Sequence, residues 1–282
     1  MAGRVTAPDI RARKRSRGAD PVVMITAYDA PFGRLVDDAG VDVILVGDTL
    51  AELVLGHSDT LHVGIEDLAH HVGAVARSGP RALLVGDMPW LTYHLEAGDT
   101  VRNAAVLVRA GAQAVKLEGG RRRVPAVRAI LDAEIPVMGH LGLTPQSVNA
   151  MGGYKVQGRE AAAAGELRRD AEALAAAGCF AIVLEGVPDL LAELVTAEVD
   201  VPTIGIGAGP ACDGQVIVVH DLLGLAEGKA PRFVRRYAEL GTLATEAVRA
   251  WAADVREGRY PSDAETYHAS AELREALEPP SS

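Results

Sequence analysis

The sequence predicts a (β/α)8 barrel, a fold class carried by three observations. Short runs rich in Val, Ile and Leu recur eight times, and stretches of helical pattern separate most of them. Several runs end in charge: Asp48 after VILVG, Asp87 after ALLVG, Lys116 and Glu118 closing AVKLE, and Glu185 closing AIVLE. Runs this continuously apolar read as parallel strands buried on both faces, and charges at their carboxyl ends stand where such a barrel keeps its active site. The 282 residues suit a single barrel domain of about 250 residues, predicted to occupy 1–282, with 1–5 and 270–282 frayed.

The eight strands are predicted at Val22 to Thr26, Val43 to Val46, Ala82 to Val85, Ala114 to Leu117, Pro136 to Gly139, Ala181 to Leu184, Pro202 to Ile206 and Val216 to Val219. Helical pattern fills Pro31 to Ala39, Ile65 to Arg77, Thr100 to Ala110, Val124 to Ala133, Glu160 to Ala177 and Pro188 to Ala197. Strand, helix and strand in alternation is an α/β pattern. Several helices stop at Ala-Gly or Ser-Gly, as at Ala110-Gly111 and Ala177-Gly178, because glycine takes the left-handed conformation that ends a helix.

Ahead of the barrel, Thr6 as N-cap, Pro8 in the first turn and Asp9 three residues after the cap predict a short helix. Its neighbours Arg4, Arg11, Arg13, Lys14, Arg15 and Arg17 then lie on a solvated face; no apolar stretch follows to make them a targeting peptide. Beyond Asp221, Arg232 to Glu239 and Gly241 to Glu257 are predicted helical, and Tyr260-Pro261 breaks the second.

A net charge of −10 excludes a general nucleic-acid binder, which needs cations to neutralise phosphates. The two cysteines, Cys179 and Cys212, form neither a disulfide framework nor a zinc-ligand spacing, so a reducing cytoplasm is the expected location. No apolar stretch approaches the roughly 18 residues of a membrane span. The expected partners are small molecules.

Asp48, Asp87 and Glu118 offer hard oxygen with no accompanying histidine or cysteine cluster, a donor set suited to Mg2+. A 2-oxo acid would complete the shell through its ketone and carboxylate oxygens. Lys116 shares a strand face with Glu118; it either faces an anionic substrate or pairs with Glu118 at the rim. Glu185 stands on another strand and is surplus to the metal, which leaves it as a general base or as a cap on the helix after Val187. His140, closing the fifth strand, is either a hydrogen-bonded structural residue or an auxiliary catalytic group. His57, His62, His70 and His71 are assigned no chemistry. Gly205-Ile206-Gly207-Ala208-Gly209 lacks the context of a dinucleotide fingerprint and fits a close backbone approach to substrate or a neighbouring loop.

From about Thr6 to His268 the chain resembles the 3-methyl-2-oxobutanoate (ketopantoate) hydroxymethyltransferase family. The likeness rests on Thr26-Ala27-Tyr28-Asp29, Val46-Gly47-Asp48, Lys116 to Gly120, Gly139 to Ser147, Gly152 to Arg159, Gly205 to Gly209 and Cys212 to Gln215, in that order. The resemblance implies a (β/α)8 barrel of the phosphoenolpyruvate/pyruvate-binding type. It implies hydroxymethyl transfer from 5,10-methylenetetrahydrofolate to 3-methyl-2-oxobutanoate, giving 2-dehydropantoate through a Mg2+-stabilised enolate. By the same likeness Asp48, Asp87 and Glu118 are metal-associated, Asp48, Thr49, Asp87 and Lys116 contact substrate, and Glu185 accepts the proton. Large homo-oligomers, decamers above all, are implied too, with the C-terminal helices as candidates for packing on a neighbour. The chain departs from the family's usual residues at Thr49, where serine is common, at Trp90 and at His62, which bears on substrate fit more than on reaction type. Two rivals remain: a Mg2+-dependent 2-oxo acid carbon–carbon lyase or mutase of the same barrel group, which would need a loop cysteine, and a lapsed barrel kept as an oligomeric scaffold.

Overall fold

In a computed structural model, which describes residues 3–153, 155–226, 228 and 230–277, eight parallel strands close into one barrel. They are β1 (Val22–Thr26), β2 (Val43–Val46), β3 (Leu83–Asp87), β4 (Ala114–Glu118), β5 (Val137–Gly142), β6 (Ala181–Glu185), β7 (Thr203–Ile206) and β8 (Gly214–Ile217), with β8 returning to β1. The outer ring is built mainly by α2 (Ala30–Asp38), α4 (Ile65–Ala76), α5 (Ala97–Ala110), α6 (Val124–Asp132), α8 (Ala161–Ala177) and α9 (Asp189–Glu198); before it stands α1 (Ala7–Arg11), and the short α3 (Leu50–Leu53) and α7 (Val148–Met151) lie in loops. The tail carries α10 (Val219–Leu222), α11 (Leu240–Arg256) and α12 (Ala271–Leu277).

Strand alternation divides the core in two. In β4, Val115 and Leu117 face the helical shell, while Ala114 belongs to the barrel interior with Val43, Leu45, Leu83, Val85, Met138 and Val183. Lys116 and Glu118 share the parity of Ala114, Asp87 that of Leu83 and Val85, His140 that of Met138, and Glu185 that of Ala181 and Val183. The inner face that is apolar through the barrel's depth therefore turns ionic at its carboxyl end.

The floor is closed by α1, whose Ala7 and Ile10 pack into the barrel interior. Thr6 and Asp9 form the expected capping box. The basic segment that follows is not wholly solvated as predicted. Lys14 is 3% exposed and its Nζ donates to Asp213 Oδ2 (2.9 Å) and to the Thr196 and Val201 carbonyls. Arg11 reaches the Cys179 carbonyl and Arg15 the Pro210 and Cys212 carbonyls. These cations are drawn under the barrel because carbonyls in the loops before β6, β7 and β8 and in the last turn of α9 lie outside the ladders and need donors.

Two further expectations are corrected. The last strand begins at Gly214, not Val216, because β8 lies so close to β1 that a Cβ at Gly214 would stand 2.5 Å from the Val22 carbonyl oxygen; Val219 instead opens α10. Arg232 to Glu239 is not helical. Its backbone bonds the end of α10, Tyr237 N–H to the Leu222 carbonyl (2.8 Å), and tertiary contacts outweigh local helix propensity. Of the termini expected to fray, residues 1–2 and 278–282 lie outside the described residues; Val5 N–H donates to the Arg81 carbonyl, and α12 is a fully exposed helix.

Candidate active site

Asp48, Thr49, Asp87, Lys116, Glu118, His140 and Glu185 all line one cavity of about 850 Å³ at the carboxyl ends of the strands. The parallel register sets the neighbours: Asp87 is the cross-strand partner of Lys116, and Glu118 that of His140. Of the two readings left open for Lys116, the ion pair is present, but chiefly with Asp87 (Nζ to Oδ1 2.9 Å) and only secondarily with Glu118 (3.7 Å). Asp48 sits in the turn after β2, where its amide donates to Asp87 Oδ2 (3.2 Å). Thr49 follows, its hydroxyl 2.7 Å from that of buried Tyr28.

Electrostatics follow from crowding. Burial, then the charges of Asp87 and Glu118, push the Asp48 carboxyl well above the usual carboxylate range. Asp87 is raised as well, burial outweighing its contact with Lys116. Burial alone would raise Glu118, but the His140 ring, Lys116 and the Gln146 amide hold it low. Burial opposes the Lys116 charge, yet three carboxylates keep the ammonium form above its ordinary pKa. His140 behaves similarly: burial and Lys116 disfavour its charge, and the neighbouring Glu118 and Glu185 overcome them, lifting it to about 9.

The imidazole stands between two carboxylates, Nδ1 3.3 Å from Glu118 Oε1 and Nε2 3.3 Å from Glu185 Oε2. Lys116 Nζ is also 3.2 Å from Nδ1. A protonated ring cannot accept that contact, so in the charged form Nδ1–H is directed to Glu118 and Lys116 to Asp87. Even so, Asp87 Oδ1, Glu118 Oε1 and His140 Nε2 are buried with no well-directed hydrogen bond. Their contacts are ion pairs in distance but not in geometry.

Those orphaned oxygens bear on a metal. Among the described residues no three His, Cys, Asp or Glu side chains converge into a ready cage. Mg2+ does not require one, since it is bound through one or two carboxylates and keeps waters for the rest. Four carboxylates, Asp48, Asp87, Glu118 and Glu185, stand against two cations, Lys116 and the His140 ring, so an excess of acid remains, and Asp48, Asp87 and Glu118 fit that ion.

Residues beyond the predicted ring complete the site. Gln146 and Tyr93 stand behind the acids, and Phe233, Pro231 and Asp189 line the outer cavity. The glycine run serves a neighbouring loop: a Cβ at Gly207 would lie 2.7 Å from Phe233 Cδ1, and one at Gly209 2.7 Å from Asp189 Cβ. Gln146 was visible only as one polar residue in the stretch after the fifth strand, and Phe233 carried no signal because its segment reads as a helix. Cys179 and Cys212 are buried and burial raises both thiols, Cys179 to about 12.

A closed parallel barrel with a charged ring at the carboxyl ends of its strands defines a (β/α)8-barrel enzyme. The family described as ketopantoate hydroxymethyltransferase matches residues 4–263, and the chain belongs to it. It is 56% identical over 257 residues to the 3-methyl-2-oxobutanoate hydroxymethyltransferase of Methylobacterium sp. (strain 4-46), covering 91% of this chain and 89% of that one. Its counterpart in Koribacter versatilis (strain Ellin345) is 52% identical over 260 residues, 92% and 88% of the two chains. The protein is thus a transferase by kinship. Among solved structures the fold is similar to that of a phosphonopyruvate hydrolase complexed with oxalate and Mg++ (TM-score 0.60, 16% identity, 96% of this chain and 94% of that one). It is also similar to 2,3-dimethylmalate lyase of the PEP mutase/isocitrate lyase superfamily (TM-score 0.55, 17% identity, 97% and 93%). At such identities they speak to fold alone.

Proposed function

We propose that this protein forms 2-dehydropantoate by transferring a hydroxymethyl group from 5,10-methylenetetrahydrofolate to 3-methyl-2-oxobutanoate, with Mg2+ at the acid ring. The observation that carries this reading is the convergence of Asp48, Asp87, Lys116, Glu118 and Glu185 on one cavity, in a chain whose relatives bear that name. Asp48 and Asp87 would hold Mg2+, with Glu118 beside them. When bound, the ion supplies the fixed positive charge that offsets a developing enolate oxygen.

The protein's own residues do the rest. Lys116 and the Thr49 hydroxyl, held by Tyr28, face the anionic end of the oxo acid. Apolar Leu45, Val183, Ile206 and Val216 receive its two methyl groups. Glu185 takes the C3 proton, steadied by His140 at 3.3 Å. The resulting enolate carbon bonds the folate methylene carbon, both C–N bonds of that methylene bridge break, the two folate nitrogens take the proton from Glu185 and one from water, and the remaining hydroxide of that water becomes the new hydroxyl. The outer cavity, with Val156, Pro231 and the Phe233 ring, is the side left for the folate. Incubating the protein with both substrates and Mg2+ is expected to release tetrahydrofolate, and chelation with EDTA to stop it. No release in the presence of all three would overturn the reading. A lyase-type loop cysteine has no counterpart: Cys179 packs near Gly139 and Cys212 near Gly205, away from the acids.

We infer also that the chain assembles with copies of itself, a decamer by family likeness, in the reducing cytoplasm that suits two free thiols. Val248, Trp251 and Val255, exposed at spacings of three and four on α11, form one apolar row. Light scattering should give a mass several times the 29.5 kDa chain; a monomer at micromolar concentration would refute assembly. Among the described residues no helix is long and apolar enough to cross a membrane.

A further inference from the structure

The loop after β5 sends one side chain behind the acid ring, and that side chain touches two of its members. Gln146 is 5% exposed. Its Nε2 donates to Asp48 Oδ2 (2.9 Å) and to the Met88 carbonyl (3.0 Å), and its main-chain N–H donates to Glu118 Oε2 (3.1 Å). Its Oε1 accepts from the Tyr93 hydroxyl (2.6 Å), whose oxygen in turn accepts the Glu118 N–H (3.2 Å). Tyr93 is 3% exposed.

This circuit has only one consistent orientation. The Met88 carbonyl and the Asp48 carboxylate are both acceptors, so the amide must turn its two N–H groups toward them; Tyr93, whose oxygen is already receiving the Glu118 N–H, must spend its own hydrogen on Oε1. Flipping the amide would set oxygen against two acceptors. One oxygen of Asp48 and one of Glu118 are thereby held from behind, while Glu118 Oε1, 3.3 Å from His140 Nδ1, has no well-directed hydrogen bond.

We propose that Gln146, braced by Tyr93, is a positioning residue that aims Asp48 and Glu118 at the Mg2+ site. This rests on the metal reading above. Such outer partners orient ligands that would otherwise turn away, and losing one typically weakens metal affinity by about 10- to 100-fold. Glutamate at 146 would do the reverse, bringing a carboxylate against Asp48 and the Met88 carbonyl.

The test is Mn2+ binding, followed by paramagnetic resonance without substrate, in wild type, Gln146→Leu and Tyr93→Phe, alongside thermal melting. The expected result is a Kd for Mn2+ about tenfold or more weaker in Gln146→Leu and weakened to a lesser degree in Tyr93→Phe, with both variants folded. Affinity within twofold of wild type in a folded Gln146→Leu overturns the role. Should Gln146→Leu fail to fold, Tyr93→Phe decides alone, since it removes only the hydroxyl, with its bonds to Gln146 Oε1 and from the Glu118 N–H, and keeps the ring: weaker binding supports the circuit and unchanged binding overturns it. A wild-type chain that binds no Mn2+ overturns the metal reading and this role together, whereas normal wild-type binding with unaltered variants removes the positioning role only.

Discussion

The barrel holds a buried lysine at each end, and the two are treated oppositely. Under the floor, Lys14 donates to Asp213 and two carbonyls; Asp213 Oδ1 takes the Arg15 N–H, and its Oδ2 also takes the Thr203 N–H. Every partner there is accounted for. At the mouth, Lys116 faces an excess of acid, and Asp87 Oδ1, Glu118 Oε1 and His140 Nε2 lack well-directed bonds. A saturated cluster holds a fold together, while an unsaturated one of the same residue types keeps bonding capacity that a ligand can use.

If the mouth serves chemistry and not stability, Asp48→Ala and Asp87→Ala should each abolish Mg2+-dependent turnover while the protein stays folded and melts close to wild type. At Asp48 the lost carboxylate relieves repulsion; at Asp87 the relief offsets the lost contact with Lys116, whose Nζ keeps Glu118 at 3.7 Å. Wild-type turnover at low Mg2+ in either variant would break the comparison from the catalytic side. Next in size, Glu185→Gln keeps shape but cannot take a proton, so C3 deuterium exchange of 3-methyl-2-oxobutanoate should slow by about 10²- to 10⁴-fold. Exchange at the wild-type rate would show that Glu185 is not the base.

The floor should answer in the other currency. Lys14→Met leaves Asp213 buried and unpaired, and denaturant titration should show a loss of about 3–5 kcal/mol. Turnover per folded molecule should hold. A loss below about 1 kcal/mol, the size of a surface pair, would mean the floor is not the structural end.

A smaller effect concerns pH. Because Asp48 is raised above the ordinary carboxylate range, it still binds a proton at a pH where an exposed aspartate is ionised, and only the ionised form ligates. Calorimetric Mg2+ affinity should therefore fall as pH is lowered across the range in which the protein stays folded, and recover on return. The same raised pKa has the opposite sign for the metal-free fold, whose Asp48 contribution is retained at low pH and lost as pH rises through the folded value. Affinity that is flat across that range would place the ion elsewhere. Smallest of all, Phe233→Ala should raise the folate KM by about 2- to 10-fold, in line with ~0.5–1.5 kcal/mol for an aromatic contact, and leave deuterium exchange alone. A matching loss of exchange would mark Phe233 as packing for the Gly207 loop only.

What was legible in the sequence divides along the same line. The strands, most helix limits to within a few residues, and the inward ring could be read because each depends on local periodicity and on a charge at the end of an apolar run. The burial of Lys14 could not: a lysine among arginines reads as solvated, and Asp213, which draws it in, is 199 residues away. Gln146 was in view as a letter but not as a role, since its partners come from three other loops and strands. Arg232 to Glu239 misled because its residues favour helix locally, whereas Gly207 and the end of α10 decide its path.

The clasp beneath the barrel also sets a schedule. A ribosome adding about 5–20 residues per second delivers Asp213 about 10–40 s after Lys14. For most of that interval the lysine has none of its final partners, because Thr196 and Val201 are also late in the chain. The floor can be fastened only when the segment just before the last barrel strand has emerged, so the earliest segment made is among the last to be locked, and a chain stopped short of residue 213 lacks both the clasp and β8, the strand that closes the barrel onto β1.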